Sequence, residues 1–194
     1  MYGWHLEEQL NGWRTAGIDE AGRGALAGPI AAGAVILEKG RAYPYRDSKK
    51  LTPKERRRLF RHIKANAIAW AVGFASHQEV DKIGVLRATH LAASRAIGAL
   101  AVPPEALVTD NLRLKFGGPV LAVTRADSQS YQVAAASIAA KVSRDELMCE
   151  AAHKYERYGF ELHKGYGTPE HLLSLQQFGP CEIHRHSFHR VGWR

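Results

Sequence analysis

Two carboxylates stand side by side, Asp19 and Glu20, closing the first apolar stretch of the chain (Thr15 to Ile18) and leading into a glycine-rich turn, Glu20-Ala21-Gly22-Arg23-Gly24. A third acid, Asp110, closes another short apolar stretch, Ala106 to Thr109. A fourth, Asp145, lies on a long alanine-rich segment in the row Ile138, Val142, Asp145, Cys149, whose three- and four-residue spacing puts it on the inward face of a helix. An inward carboxylate costs on the order of several kcal/mol unless a positive group meets it, and a bound cation would do so. Four oxygen ligands without a Cys/His set suit Mg²⁺ or Mn²⁺ better than zinc. Two such ions between carboxylates are the usual device for attack of water on a phosphodiester. Taken singly, each acid keeps a structural reading: Asp110 as a turn or cap residue before Asn111, Asp145 as part of an exposed Arg144–Glu146 surface, Asp19-Glu20 as a helix cap. Together they point to a metal-dependent nuclease.

These acids need a scaffold, and the sequence outlines one. Strands are expected at Thr15 to Ile18, Gly28 to Leu37, Ala67 to Ala75, Ala106 to Thr109 and Val120 to Thr124. Thr52-Pro53-Lys54-Glu55 has the capping-box pattern with proline at the first helical position, so a basic helix should run from Pro53 to Asn66. Helical spacing of Val80, Ile83, Leu86, His90, Ala93 and Ile97 predicts one helix over Ser76 to Leu100. A long helix should span Ser130 to Tyr158, and a shorter one Pro169 to Gln177. The order predicts an α/β fold with a mixed sheet, an antiparallel three-strand meander plus parallel strands. If strands one and four are parallel neighbours, Asp19 and Asp110 emerge at one edge. Glu20 can join them only if the strand ends there and the chain turns.

Composition bounds the partner. The 194 residues are 45% hydrophobic and 24% charged, a globular balance, with 27 Lys and Arg against 19 acids for a net charge of +8. The excess is concentrated between Arg41 and Lys64, where ten basic residues face only Asp47 and Glu55. Such a run fits a polyanion, whose counterions it would release, and also fits a solvated helix face. Cys149 and Cys181 are too far apart in sequence for a clustered zinc pair and are read as ordinary thiols. No apolar run is long enough to span a bilayer, and Met1 to Arg14 lacks a signal pattern, so a soluble cytoplasmic protein is expected. No amphipathic dimer helix is evident, and a monomer is expected.

The chain resembles ribonuclease HII, a type 2 ribonuclease H, over nearly its whole length. The resemblance is carried by Gly17-Ile18-Asp19-Glu20-Ala21-Gly22-Arg23-Gly24 with Ala27-Gly28-Pro29, and by Asp47-Ser48-Lys49-Lys50-Leu51-Thr52. Ala134-Ala135-Ala136-Ser137-Ile138 with Lys141-Val142-Ser143-Arg144-Asp145, His163-Lys164-Gly165-Tyr166-Gly167-Thr168, and the tail His184-Arg185-His186-Ser187-Phe188 complete it. It implies an RNase H-like core over 1–158 and a C-terminal helical extension over 159–194 that contributes to substrate binding. It implies endonucleolytic cutting of RNA in RNA–DNA hybrids and 5′ of single ribonucleotides in duplex DNA, leaving a 3′-hydroxyl and a 5′-phosphate. Roles in ribonucleotide removal from DNA and in RNA primer removal would follow.

By that resemblance the four metal-binding and catalytic acids fall on Asp19, Glu20, Asp110 and Asp145, holding Mg²⁺ or Mn²⁺, two ions during catalysis. Substrate contacts fall on Gly22, Arg23, Gly24, Ser48, Lys49 and Tyr166. Two segments depart from the family pattern: Asp110-Asn111 replaces Asp-Gly, and Thr124-Arg125-Ala126-Asp127-Ser128-Gln129-Ser130 keeps Asp127 but has Gln129 where the family has a second lysine. Sensing a 2′-hydroxyl requires close main-chain approach, which Gly22 and Gly24 allow beside the metal ligands. The rival readings are a non-catalytic nucleic-acid-binding module, which has no use for inward acids, and a different metal-dependent nuclease on the same core.

Overall fold

The hydroxyl of Thr52 accepts the amide of Glu55 at 3.2 Å, and the Glu55 carboxylate accepts the Thr52 amide at 2.8 Å. This reciprocal cap starts helix α2 (Pro53–Asn66), with the bounds its spacing implies. The structure, a computed structural model, describes residues 3–10, 12–46 and 48–191; Asp47 of the Asp47-Ser48-Lys49 segment lies outside them. The remaining elements are α1 (His5–Glu8), β1 (Thr15–Ala21), β2 (Ile30–Ile36), β3 (Ala69–Ala75), α3 (His77–Ile83), α4 (Val85–Gly98), β4 (Ala106–Asp110), β5 (Val120–Val123), α5 (Tyr131–Lys154), α6 (Phe160–His163) and α7 (Pro169–Phe178). The strands form one sheet in the order β3-β2-β1-β4-β5. β1 and β3 flank β2 antiparallel, while β4 pairs parallel with β1 and β5. This is the mixed sheet expected from the sequence.

Several boundaries differ from the sequence reading by one or two residues, and three elements differ in kind or extent. β1 does not stop at Asp19 but carries the ladder through Glu20 and Ala21, pairing Asp19 with Gly33 and Glu20 with Ala32. The helix expected over Ser76 to Leu100 is two helices, because Gly84 takes φ 80° between them. The long helix ends at Lys154, and Glu156–Tyr158 is a separate 3-10 turn. No helix among the described residues is long and apolar enough to cross a membrane.

Alternation along the sheet divides the core. Ala16, Ile18, Ala32 and Ala34 face α4, packing with Ala88, Ala92 and Ala96. The opposite face receives α5, whose Ala134, Ala135, Ala136 and Ala139 pack with Val35 and with Leu59 and Ile63 of α2. The helix comes unusually near. A Cβ on Gly17 would lie 2.2 Å from the Gln132 carbonyl carbon, and one on Gly33 would lie 2.2 Å from the Ala136 oxygen. Glycine in the strands and alanine on the helix therefore make one seam. Its N-terminal end is fixed by the buried Gln132 amide, which accepts the Leu37 amide at 2.9 Å and donates to the Thr15 hydroxyl at 2.7 Å.

The C-terminal segment folds back on the loop after β1. Arg185 N–H donates to Leu26 O at 2.8 Å, and Leu26 N–H to Gly165 O at 2.8 Å. A buried histidine pair secures it. His171 Nδ1 donates to Tyr166 O at 3.0 Å, so its Nε2 accepts from His184 Nε2 at 3.0 Å. His184 Nδ1 then accepts the Cys181 amide at 2.9 Å. Each ring uses one N–H and one lone pair, so both are neutral, and burial lowers each to about 4.

Two outcomes follow. Gly33→Ala should destabilise the protein by about 1–3 kcal/mol in urea denaturation, because a methyl has nowhere to go against the Ala136 backbone; an unchanged midpoint would contradict the seam. The histidine pair titrates lower folded than unfolded, where histidine sits near ~6.5, so the unfolded chain takes up protons first. Stability from the pair should be intact above that value and decline as pH falls toward about 4. A denaturation midpoint flat from about pH 6.5 to about 5 would be the contrary result.

Candidate active site

Parallel pairing of β1, β4 and β5 sends their carboxyl ends to one edge of the sheet, where open α/β sheets place ligands. The last β1–β4 pair is Ile18 with Thr109, so Asp19 and Asp110 follow side by side on the face toward α5. β5 ends at Val123, and the chain turns through Arg125, at φ 58°, into the 3-10 turn Ala126–Ser128. That turn delivers Asp127 to the same place. Asp19, Asp110 and Asp127 each present a carboxylate oxygen within 4.8 Å of the others, with Asp19 and Asp127 buried. Asp110 Oδ1 accepts the Ala126 amide at 3.3 Å, which ties the β4 end to the turn.

Asp19 is held from two sides. Its Oδ1 accepts the Glu20 amide at 2.7 Å, and the nearby Ser137 hydroxyl of α5 favours its charged form. Burial, then repulsion from Glu20 and Asp110, pushes its carboxyl well above the ordinary carboxylate range. Glu20 lies in the same cleft but outside the three-acid cluster, as its opposite strand parity requires. One of its oxygens takes Arg23 Nη1 at 3.1 Å; the other, Oε2, is buried without a hydrogen-bond partner. Burial raises Glu20 too, against the lowering pull of Arg23. Converging acids, an orphaned buried carboxylate oxygen and an all-oxygen donor set fit a hard divalent cation, which would reverse the repulsion that raises these groups.

The structure does not bring Asp145 to this cluster. It lies eight residues beyond Ser137 along α5, about 12 Å of helix axis at 1.5 Å per residue. Its Oδ1 instead takes Lys141 Nζ at 2.8 Å, half-buried in a neighbouring groove. The apolar row identified the helix face but not the distance along it. Asp127 was legible by the rule that found Asp19 and Asp110, an acid just past a strand that runs parallel to theirs. Ser137 offered no comparable signal, being one hydroxyl in an alanine run.

A cleft of about 360 Å³ opens on Asp19 and Glu20, walled by Gly22, Arg23, Gly24, Ser48, Lys49, Ser137, Lys141 and Tyr166. The expected substrate contacts thus share one cleft with two of the acids. Ser48 is buried and its hydroxyl is bonded to that of Ser137 at 2.8 Å, in the cleft that Asp19 lines. The turn carrying Ser48 and Lys49 is held by Arg56, whose Nη1 donates to Ser48 O at 2.9 Å and to Leu51 O at 2.6 Å. One cation of the basic run is therefore spent inside the protein. Gly22 has φ 93°, and a Cβ there would lie 2.1 Å from Arg144 Nε, so both backbone and space demand glycine. At Gly24 a Cβ would meet open space. The Tyr166 ring lies beneath Lys141 Nζ, 5.3 Å from its centroid, and Arg144 Cζ, at 5.1 Å.

Comparison with known proteins shows the family and the fold. The family model described as Ribonuclease HII matches residues 16–194. The chain is 54% identical over 180 residues to a ribonuclease HII of Thermus thermophilus, covering 91% of this chain and 88% of that protein. It is 46% identical over 188 residues to a ribonuclease HII of Caldicellulosiruptor bescii, covering 94% and 91%. Among solved structures, the ribonuclease H2 of Pyrococcus horikoshii superposes with a TM-score of 0.79 at 26% identity, covering 92% of this chain and 95% of that one.

The cluster can be tested without an activity assay. Asp110→Asn or Asp127→Asn should leave the metal-free protein as stable or a few degrees more so, since one of three crowded charges is gone, and should abolish the rise in Tm on adding Mn²⁺. Asp145→Asn should retain that rise. The opposite pattern would return the ligand role to Asp145.

Proposed function

This chain belongs to the ribonuclease HII family, metal-dependent endonucleases that cleave the RNA strand of RNA–DNA hybrids, and we propose that it also cuts duplex DNA 5′ of single embedded ribonucleotides. The products are a 3′-hydroxyl and a 5′-phosphate, and the cellular roles are ribonucleotide removal from DNA and RNA primer removal. One observation carries the reading: Asp19 and Glu20 lead through Ala21 into the Gly22-Arg23-Gly24 turn, and all of them line one cleft with Tyr166. Sensing of a 2′-hydroxyl and hydrolysis of the adjoining phosphate then occur a few ångströms apart.

Asp19, Glu20, Asp110 and Asp127 form the ligand set, Asp127 taking the place first given to Asp145, and they hold Mg²⁺ or Mn²⁺. Such ions supply Lewis-acid activation of water and of the scissile phosphate. The protein's own groups do the rest. The Glu20 amide fixes the Asp19 carboxylate, and the Ser137 hydroxyl beside it favours the charged form. Lys49, close enough to lower Glu20 electrostatically, faces the path of a phosphate. Ser48 positions that turn through its bond to Ser137. Gly24 lets the backbone approach the sugar, and the Tyr166 ring, set beneath two cations, offers a flat face to the next one. Asp145 neutralises Lys141.

The deciding assay incubates three duplexes with Mg²⁺ or Mn²⁺: one with a single ribonucleotide, an RNA–DNA hybrid and an all-DNA control. Cleavage of the first two and not the third is expected. Cutting of the hybrid alone would sink the embedded-ribonucleotide reading, and equal cutting of all three would indicate a general nuclease. Gly24→Ala should keep the wild-type Tm, because its methyl enters open space, yet lose roughly 10–100-fold in rate on the single ribonucleotide.

A further inference from the structure

Two arginines, Arg144 and Arg185, have no exposed surface at all. The donors that are bonded go to main-chain carbonyls rather than to carboxylates, and Arg185 Nη2 is buried without a hydrogen-bond partner. Arg144 Nε donates to Pro29 O at 2.9 Å, Nη2 to Ala27 O at 3.1 Å and Nη1 to Lys164 O at 3.0 Å. Arg185 Nε donates to Gly28 O at 2.9 Å and Nη1 to Arg23 O at 3.0 Å. All these carbonyls belong to two segments, the loop following β1 and the loop bearing Tyr166. Arg185 serves only the first. Arg144 serves both, fills the space a Cβ on Gly22 would occupy, and lies over the Tyr166 ring.

Arg144 is also rooted in α5, two helical turns past Ser137, which lines the cleft with Asp19. A rigid fork on this helix therefore refers both substrate-facing loops to the same frame as the acids. Direct bonds between the loops, such as Leu26 N–H to Gly165 O, join them to each other but not to that helix. From this geometry we infer that Arg144 is a positioning residue that sets the spacing between the ribonucleotide-sensing turn, Tyr166 and the acid cluster, with Arg185 bracing the turn from the far side. The inference rests on the proposed reading of the cleft. A misplacement on the order of 1 Å at a reacting centre costs about 100-fold in rate, so such a residue acts mainly on kcat. A duplex with one ribonucleotide gives the enzyme a single register in which the sensing turn can meet a 2′-hydroxyl. A hybrid offers one at every step, so a displaced turn is better tolerated there.

The test uses Arg144→Lys, which keeps the charge but loses the fork, and Arg144→Met, which replaces a buried cation with an apolar chain of similar length. Single-turnover rates and KM are measured on the single-ribonucleotide duplex and on the hybrid, together with the Mn²⁺-induced rise in Tm. In whichever variant folds, the metal-induced rise should persist. The kcat on the single ribonucleotide should fall roughly 10–100-fold, with KM changed by less than about 3-fold, and the hybrid should lose at least ~10-fold less. Equal losses on both substrates would show a merely structural arginine, and unchanged rates would show none of the proposed coupling. Either result overturns the inference. If the wild-type enzyme itself leaves the single-ribonucleotide duplex intact, it is the reading of the cleft that has failed, and the hybrid arm shows that separately.

Discussion

The contact on which this structure depends is the seam between α5 and the first two strands. Gly17 and Gly33 remove side chains from the sheet where the helix backbone crosses it, and an alanine face on the helix meets them. Close-packed interiors hold their parts to a fraction of an ångström, and here the held part is a helix that carries chemistry. Ser137, Lys141, Arg144 and Asp145 follow one another along it past the carboxyl edge of the sheet. Larger residues at the seam would lift all four from the strands bearing Asp19 and Asp110. The site is thus as accurate as the packing beneath it.

Above the seam, charge is arranged in two poorly compensated layers. Carboxylates crowd at the sheet edge, where burial and mutual repulsion hold Asp19 above its ordinary range. Behind the glycine-rich turn lie two guanidiniums, where burial draws Arg144 down and brings Arg185 to about 9, still a cation at neutral pH. Neither layer neutralises the other, because the turn stands between them. The first fits a divalent cation and the second favours a polyanion, and a nuclease substrate complex contains both. Main-chain carbonyl dipoles make the buried arginines tolerable meanwhile.

Much of this was legible in the sequence where one element decided the matter. The Thr52 capping box set the start of α2, and apolar runs ending in Asp19 and Asp110 located the sheet edge, because strand direction alone fixes where such residues emerge. Failures occurred where a coordinate other than face was needed. Helical spacing put Asp145 on a site-facing stripe but says nothing of distance along the axis, and the residue sits too far down. Asp127 obeys the strand-end rule, but the left-handed Arg125 that turns it toward the other two acids has no periodicity to read. Glu20 was expected at the end of its strand, yet the ladder with Ala32 carries the strand past it. The arginine bonds to carbonyls were invisible, since a basic residue in a run looks the same whether it faces phosphate or protein.

The acid cluster also has a history during synthesis. Asp19 emerges about a hundred residues before Asp127, and the helix that seats the cluster comes later still. A nascent chain carries its acids apart, each solvated, and brings them together only when α5 closes the seam over strands made long before. The repulsive step is therefore postponed to the stage of greatest apolar gain, and a truncated chain lacking α5 has no reason to assemble the cluster.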